Sequence, residues 1–188
     1  MLQQLHGQVF ERSIDGWEIS WLTEGTYRHW CRQILKPEWP TLLVLMFNPG
    51  SLSGSGAGLP RDTTLRILRE VGSAAGFNIY VINLFDYASP KPSDLFDNWA
   101  RRDGRRLHYT ELALDQFTAY VSAYGNYLGW VAWRSDIDAR VREVQAALAN
   151  LPEIALPKNG NGTPKHPMVW QRQKLKLTIA SLIRATQL

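Results

Sequence analysis

Asn48-Pro49-Gly50, Arg61-Asp62-Thr63-Thr64, Asn83-Leu84-Phe85 and Pro164-Lys165-His166-Pro167 carry the side chains of this chain best suited to chemistry on a polar ligand. Asn48 follows an apolar run that Pro49 and Gly50 end sharply, and Gly50 permits close approach of a ligand to the backbone. A rigid amide at that point can orient a water or read a polar edge; as a bare tripeptide the same motif is a good turn. Asp62 opens a helical pattern. It reads as an N-cap or, if its loop lines a site, as a group that takes a proton from water or stabilises a developing cation. Asn83 offers both a donor and an acceptor to a base edge, or else satisfies its own loop. His166 precedes the last helical pattern, where the positive helix end favours the neutral imidazole. Such a ring can donate a hydrogen bond to a departing anion.

These residues gain meaning from the elements that must position them. Segments 41–47, 78–85, 117–124 and 153–156 are apolar runs of strand length, and 41–47 suits a strand buried on both faces. Between and after them, helical spacing appears from residue 62 or 63 to 75, over 107–116, from a cap at Ser135 or Asp136 to about 150, and from Pro167 through Ile183. Strand and helix alternate four times, which predicts an α/β fold: a three-layer α/β/α sandwich around a central, mainly parallel, four-stranded sheet. Ahead of it, Trp17, Ile19 and Trp21 alternate with Glu18 and Ser20 behind Asp15-Gly16, a hairpin-turn dipeptide. An N-terminal β-hairpin and a further strand near 27–34 follow. The expectation is one domain over 1–188, with 1–40 a β-rich extension and 41–188 the α/β core. Segments 47–50, 81–85, 123–126 and 163–167 fall where the four expected strands end, and the carboxyl ends of a parallel sheet are where open α/β folds build their ligand crevice.

Composition narrows the classes without choosing among them. The chain has 188 residues, 45% hydrophobic and 20% charged, with a formal net charge of +4, a mild preference for polyanions. Its single cysteine, Cys31, excludes an intrachain disulfide framework and a Cys-rich zinc module. No metal-ligand spacing and no cofactor motif is present, so neither is expected. The N-terminus lacks the basic start and apolar run of a signal peptide, and no stretch reaches membrane-spanning length. A soluble cytoplasmic monomer is the expectation. Arg101, Arg102, Arg105 and Arg106 form one basic run; Arg172 and Lys174 form another. Such runs are usually solvated faces. With Trp99 and Trp170 beside them they also read as DNA-backbone contacts interleaved with stacking groups.

From about Tyr27 to Trp170 the sequence resembles an uncharacterised bacterial and phage domain family. That pattern is Asn-Pro-Ser, Asp-x-Thr, Asn-Leu-Phe, Trp-Gly and Pro-Arg-His-Pro. Here it is met by Asn48-Pro49-Gly50, Asp62-Thr63-Thr64, Asn83-Leu84-Phe85, Tyr124-Gly125 and Pro164-Lys165-His166-Pro167, with Gly50, Tyr124 and Lys165 departing from it. The order is also similar to that of the uracil-DNA glycosylase superfamily. This resemblance implies that Asn48 positions an attacking water, Asn83 reads a flipped base, and His166 stabilises the leaving base, with Asp62 in support. It places Phe47, Pro49, Gly50, Arg61, Tyr124 and Lys165 around the substrate. The implied activity is that of a monofunctional DNA glycosylase acting on a flipped, modified pyrimidine, with a role against modified phage DNA. A non-catalytic base-binding module and an N-glycosidase acting on RNA or nucleosides are the alternatives.

Overall fold

Alternation along the central strands sets the layers. In the computed structural model, which describes residues 9–14, 16–22, 27–50, 62–89, 91–103 and 112–187, strand β4 (Thr41–Met46) sends Leu42, Val44 and Met46 into one core and Leu43 and Leu45 into another. Three of the chain's helices cover the first core: α1 (Thr63–Ala75), α4 (Pro167–Arg172) and α5 (Lys176–Arg184). The second core lies under α2 (Pro92–Asp97) and α3 (Arg134–Ala147), through Leu95, Phe96, Ile137, Val141 and Val144. Helix α1 starts at Asp62 and stops at Gly76, whose φ of +81° a residue with a Cβ would adopt only under strain.

The sheet is larger and more mixed than expected. Strands β5 (Asn78–Asn83) and β6 (Ala119–Ser122) flank β4 in parallel, with Met46 opposite Asn83 and Leu45 opposite Ser122. The hairpin of β1 (Val9–Ile14) and β2 (Trp17–Leu22) is not an appendage. It pairs through β3 (Tyr27–Gln33) onto β5, giving six strands in the order β1-β2-β3-β5-β4-β6, with the first three pairings antiparallel and the last two parallel. Trp17 and Ile19 bury in the same core as α1. The expected fourth parallel strand, 153–156, shrinks to one bridge between Tyr120 and Glu153. Pro152 and Pro157 bracket it, and a residue without an N–H cannot extend a ladder.

Three expected helices also change. The last one breaks at Lys174, whose φ is +56°, so that α4 and α5 both pack on α1. Within 107–116, residues 107–111 lie outside the described residues and 114–116 form one 3-10 turn. Neither Ser135 nor Asp136 caps α3; the Asp136 carboxylate instead accepts from Trp99 Nε1 at 3.1 Å. Among the described residues no helix is long and apolar enough to cross a membrane.

Candidate functional site

The carboxyl ends of β4 and β5 open into a cavity of about 250 Å³ lined by Asn48, Gly50, Asp62, Thr64, Asn83, Ser89, His166 and Arg28, with Met46, Leu65 and Val81 as its apolar lining. The period of two decides which residues reach it. Met46 and Asn48 face the cavity from β4 and its extension; Val81 and Asn83 do so from β5.

Asn48 is oriented by the loop after β5. Its Nδ2 donates to the Pro49 carbonyl at 3.1 Å, the Ser89 carbonyl at 3.4 Å and Ser89 Oγ at 3.2 Å. Carbonyls only accept, so the amide nitrogen must face the loop, and the carbonyl oxygen is what Asn48 offers the cavity. Ser89 is held in turn, its Oγ donating to the Lys91 carbonyl at 2.8 Å and its N–H to the Pro49 carbonyl at 3.0 Å. Asp62 divides its carboxylate between two tasks. Oδ1 accepts from the Leu65 N–H at 3.0 Å and caps α1, while Oδ2 stands 3.4 Å from where a Cβ on Gly50 would lie. Cap and cavity wall are thus compatible roles for one side chain.

His166 is fixed as a donor. Its Nδ1 accepts from the Met168 N–H at 3.2 Å, so the neutral ring carries its proton on Nε2. Burial pushes the imidazole down from 6.5 to about 4; the Arg172 charge acts the same way and Asp62 opposes both. The neutral form anticipated from the helix end is present, with burial as its leading cause. Gly125, at φ +83°, lies against the ring's base: a Cβ there would stand 3.3 Å from His166 Cβ. Asn83 is completely buried at the end of β5.

Several residues expected in the site fall elsewhere. Phe47 points to the opposite face, in edge contact with Phe85 at 5.4 Å and near Phe96 at 6.2 Å, because it alternates with Met46 and Asn48. Tyr124 is buried in that same core beside Tyr127, its hydroxyl pushed up to about 12 chiefly by burial. Lys165 reaches away to Gln173 Oε1 at 2.9 Å. Pro49 contributes its carbonyl rather than its ring. Trp170, 1% exposed, anchors α4 in the first core and does not stand on a nucleic-acid surface. Arg102 stacks on Trp99 at 4.8 Å and donates to its carbonyl at 2.9 Å, whereas Arg101, Arg172 and Lys174 are exposed. Arg61, Arg105 and Arg106 lie outside the described residues.

Sequence reasoning missed Arg28 and Ser89, and gave Thr64 no role of its own within the Asp62 motif. Arg28 was the hardest to find, because a β-bulge decides its direction. Pairing of β2 with β3 runs Ile19 to Cys31, Ser20 to Trp30, then Trp21 to Arg28, so His29 is an extra residue. The bulge returns Arg28 to the face of Cys31 and hence into the cavity; simple alternation would have sent it to the other side. Only Ser89 left a faint signal, as a polar residue closely following a buried strand.

No curated protein and no solved structure matches this chain significantly. The family described as protein of unknown function (DUF1643) matches residues 28–168, a stretch that holds every residue lining the cavity. With well over half of its length matched, the chain belongs to the DUF1643 family.

Proposed function

We propose that this protein is a monofunctional DNA glycosylase that hydrolyses the N-glycosidic bond of a flipped, modified pyrimidine, such as those of phage DNA. One observation carries the reading. An acceptor amide, a carboxylate oxygen, a second buried amide and a neutral imidazole donor, from positions 48, 62, 83 and 166, converge on one cavity.

Breaking this bond passes through an oxocarbenium-like sugar, so a water must be placed on one side and the departing base stabilised on the other. Asn48 Oδ1 accepts a hydrogen bond from that water and orients it. Asp62 Oδ2 supports the sugar cation and takes the water's proton as its oxygen bonds the anomeric carbon. Asn83 reads the base edge, and His166 Nε2–H donates to a base carbonyl as the bond's electron pair leaves with the base. Arg101, Arg172 and Lys174, which are exposed, supply phosphate contacts.

Incubation with duplexes carrying uracil, mismatched thymine or hypermodified pyrimidines, followed by measurement of abasic sites, tests the reading. Cleavage of a modified substrate, reduced on the order of 10²- to 10³-fold in Asn48→Ala and His166→Ala with DNA binding retained, is the expected result. Activity confined to plain uracil would remove the modified-base assignment, and full activity in both variants would remove the residue roles. A base-binding module without cleavage is the second reading, favoured by Asp62 already serving the α1 cap. DNA binding without abasic sites decides for it, and cleavage only of RNA or nucleosides would move the activity to those substrates.

A further inference from the structure

Arg28 has no part in the chemistry just described, yet it is the most unusual group in the cavity. The residue is 3% exposed, and its Nε and Nη1 make no hydrogen bond. Its backbone is anchored, the N–H donating to the Asp86 carbonyl at 3.0 Å, but among the described residues no salt bridge holds the guanidinium. A buried charge without a partner is strongly unfavourable, so folds keep such groups where something else supplies the counter-charge. Here the bulge in β3 turns the side chain toward Met46, Val81 and Asn83.

The sheet order gives Arg28 a definite place. Strands run β3, β5, β4, β6, and His166 lies against Gly125 just after β6. Arg28 and His166 therefore stand at opposite ends of the crevice, with Asn83 and Asn48 between them. Both ends offer hydrogen-bond donors, and only the Arg28 end carries a permanent charge.

We propose that Arg28 is the fixed positive charge that holds the departing base as an anion. The inference rests on the glycosylase reading. As the bond between sugar and base breaks, its electron pair leaves with the base and spreads over the ring nitrogens and carbonyl oxygens; water's oxygen bonds the sugar, and its proton passes through Asp62 to solvent. A guanidinium cannot deliver a proton, so it favours bases that leave as anions over bases that must first be protonated. Donors at both ends also suit a ring with a carbonyl at each edge, since a ring amino group would face a donor. Arg28 is thus both a catalytic and a specificity-determining residue.

Calorimetric binding of the free bases thymine, uracil and 5-halogenated uracils, in order of rising ring N–H acidity, tests this without requiring cleavage. Wild-type protein is expected to bind the most acidic base at least tenfold more tightly than the least. Arg28→Lys retains part of that trend, and Arg28→Gln loses it. Arg28→Gln also folds at least as stably as wild type, since it removes a buried guanidinium whose Nε and Nη1 make no hydrogen bond; a residue kept for structure alone would show a lower melting temperature instead. An unchanged trend in Arg28→Gln, or no binding of any base to wild type, overturns the proposal. If the trend holds but no duplex yields abasic sites, the glycosylase reading fails and the anion-holding role of Arg28 survives.

Discussion

Strand β5 has an asparagine at each end, and the fold uses the two in opposite ways. Asn78, 2% exposed, saturates its amide on the connection from β3 to β4. Oδ1 accepts from the Leu35 and Lys36 N–H groups at 2.7 and 3.1 Å, and Nδ2 donates to the Lys36 and Trp39 carbonyls at 2.9 and 2.7 Å. Five residues later, Asn83 is equally buried but lines a cavity together with an acceptor oxygen, a carboxylate oxygen, a neutral imidazole and a guanidinium. The amino end of the parallel strands is sealed by backbone, while the carboxyl end presents polar atoms to a space that a ligand can fill. Residue type is the same at both ends; what the adjoining loop does with the backbone decides the role.

The largest contrast comes from removing one asparagine at each end of the parallel strands. Asn48→Ala is expected to cost cleavage on the order of 10²-fold or more while lowering unfolding free energy by only about 1 kcal/mol, as one donor group is lost. Asn78→Ala reverses the pattern, with about 3 kcal/mol of stability lost because buried backbone groups are left unsatisfied and activity per folded molecule unchanged. Urea melts and single-turnover assays on both proteins check this, and a large activity defect in Asn78→Ala would erase the distinction between the two ends.

Acid should weaken the open end specifically. His166 titrates near 4 in the folded protein against an ordinary 6.5, so the unfolded chain takes up the proton first as pH falls. Its contribution is complete above about pH 6.5 and is lost as the pH falls through 4, on the order of 3 kcal/mol in all. Urea midpoints at pH 7 and pH 4.5 should therefore differ more in wild type than in His166→Gln. An equal loss in both proteins would assign the acid sensitivity to other groups. Within the neutral range, cleavage should show no inflection from His166.

Smaller effects mark the edges of the site. Gly125→Ala must carry a Cβ at φ +83°, costing about 1 kcal/mol, and presses on His166, so roughly tenfold slower cleavage is expected beside a slightly lower melting temperature. Unaltered kinetics would show that the ring does not depend on this wall. Lys165→Ala, which loses the exposed contact with Gln173, should change stability by less than about 0.5 kcal/mol and leave cleavage intact. A clear activity loss would return Lys165 to the substrate side.

Much of this was legible in the residues because it depends on local chemistry. Asp62 as a cap with the helix ending at 75, the apolar runs at 41–47 and 78–85, and the placing of Asn48 and Asn83 at strand ends follow from helix termini and side-chain periodicity. Less legible were features that local signals cannot carry. The hairpin's recruitment into the main sheet, the failure of 153–156 to extend and the break at Lys174 each depend on what packs against what.

The sequence by itself determined that apolar strands alternate with helices and that Asn48, Asp62, Asn83 and His166 lie at their ends, since spacing and turn chemistry act over a few residues. Tertiary structure alone decided that these four share a cavity and that Phe47, Tyr124 and Trp170 belong to the cores. It also decided that Arg28 joins the cavity. The physical reason is the bulge: one extra residue in β3 reverses which face the arginine takes, and a bulge exists only in the pairing of two strands.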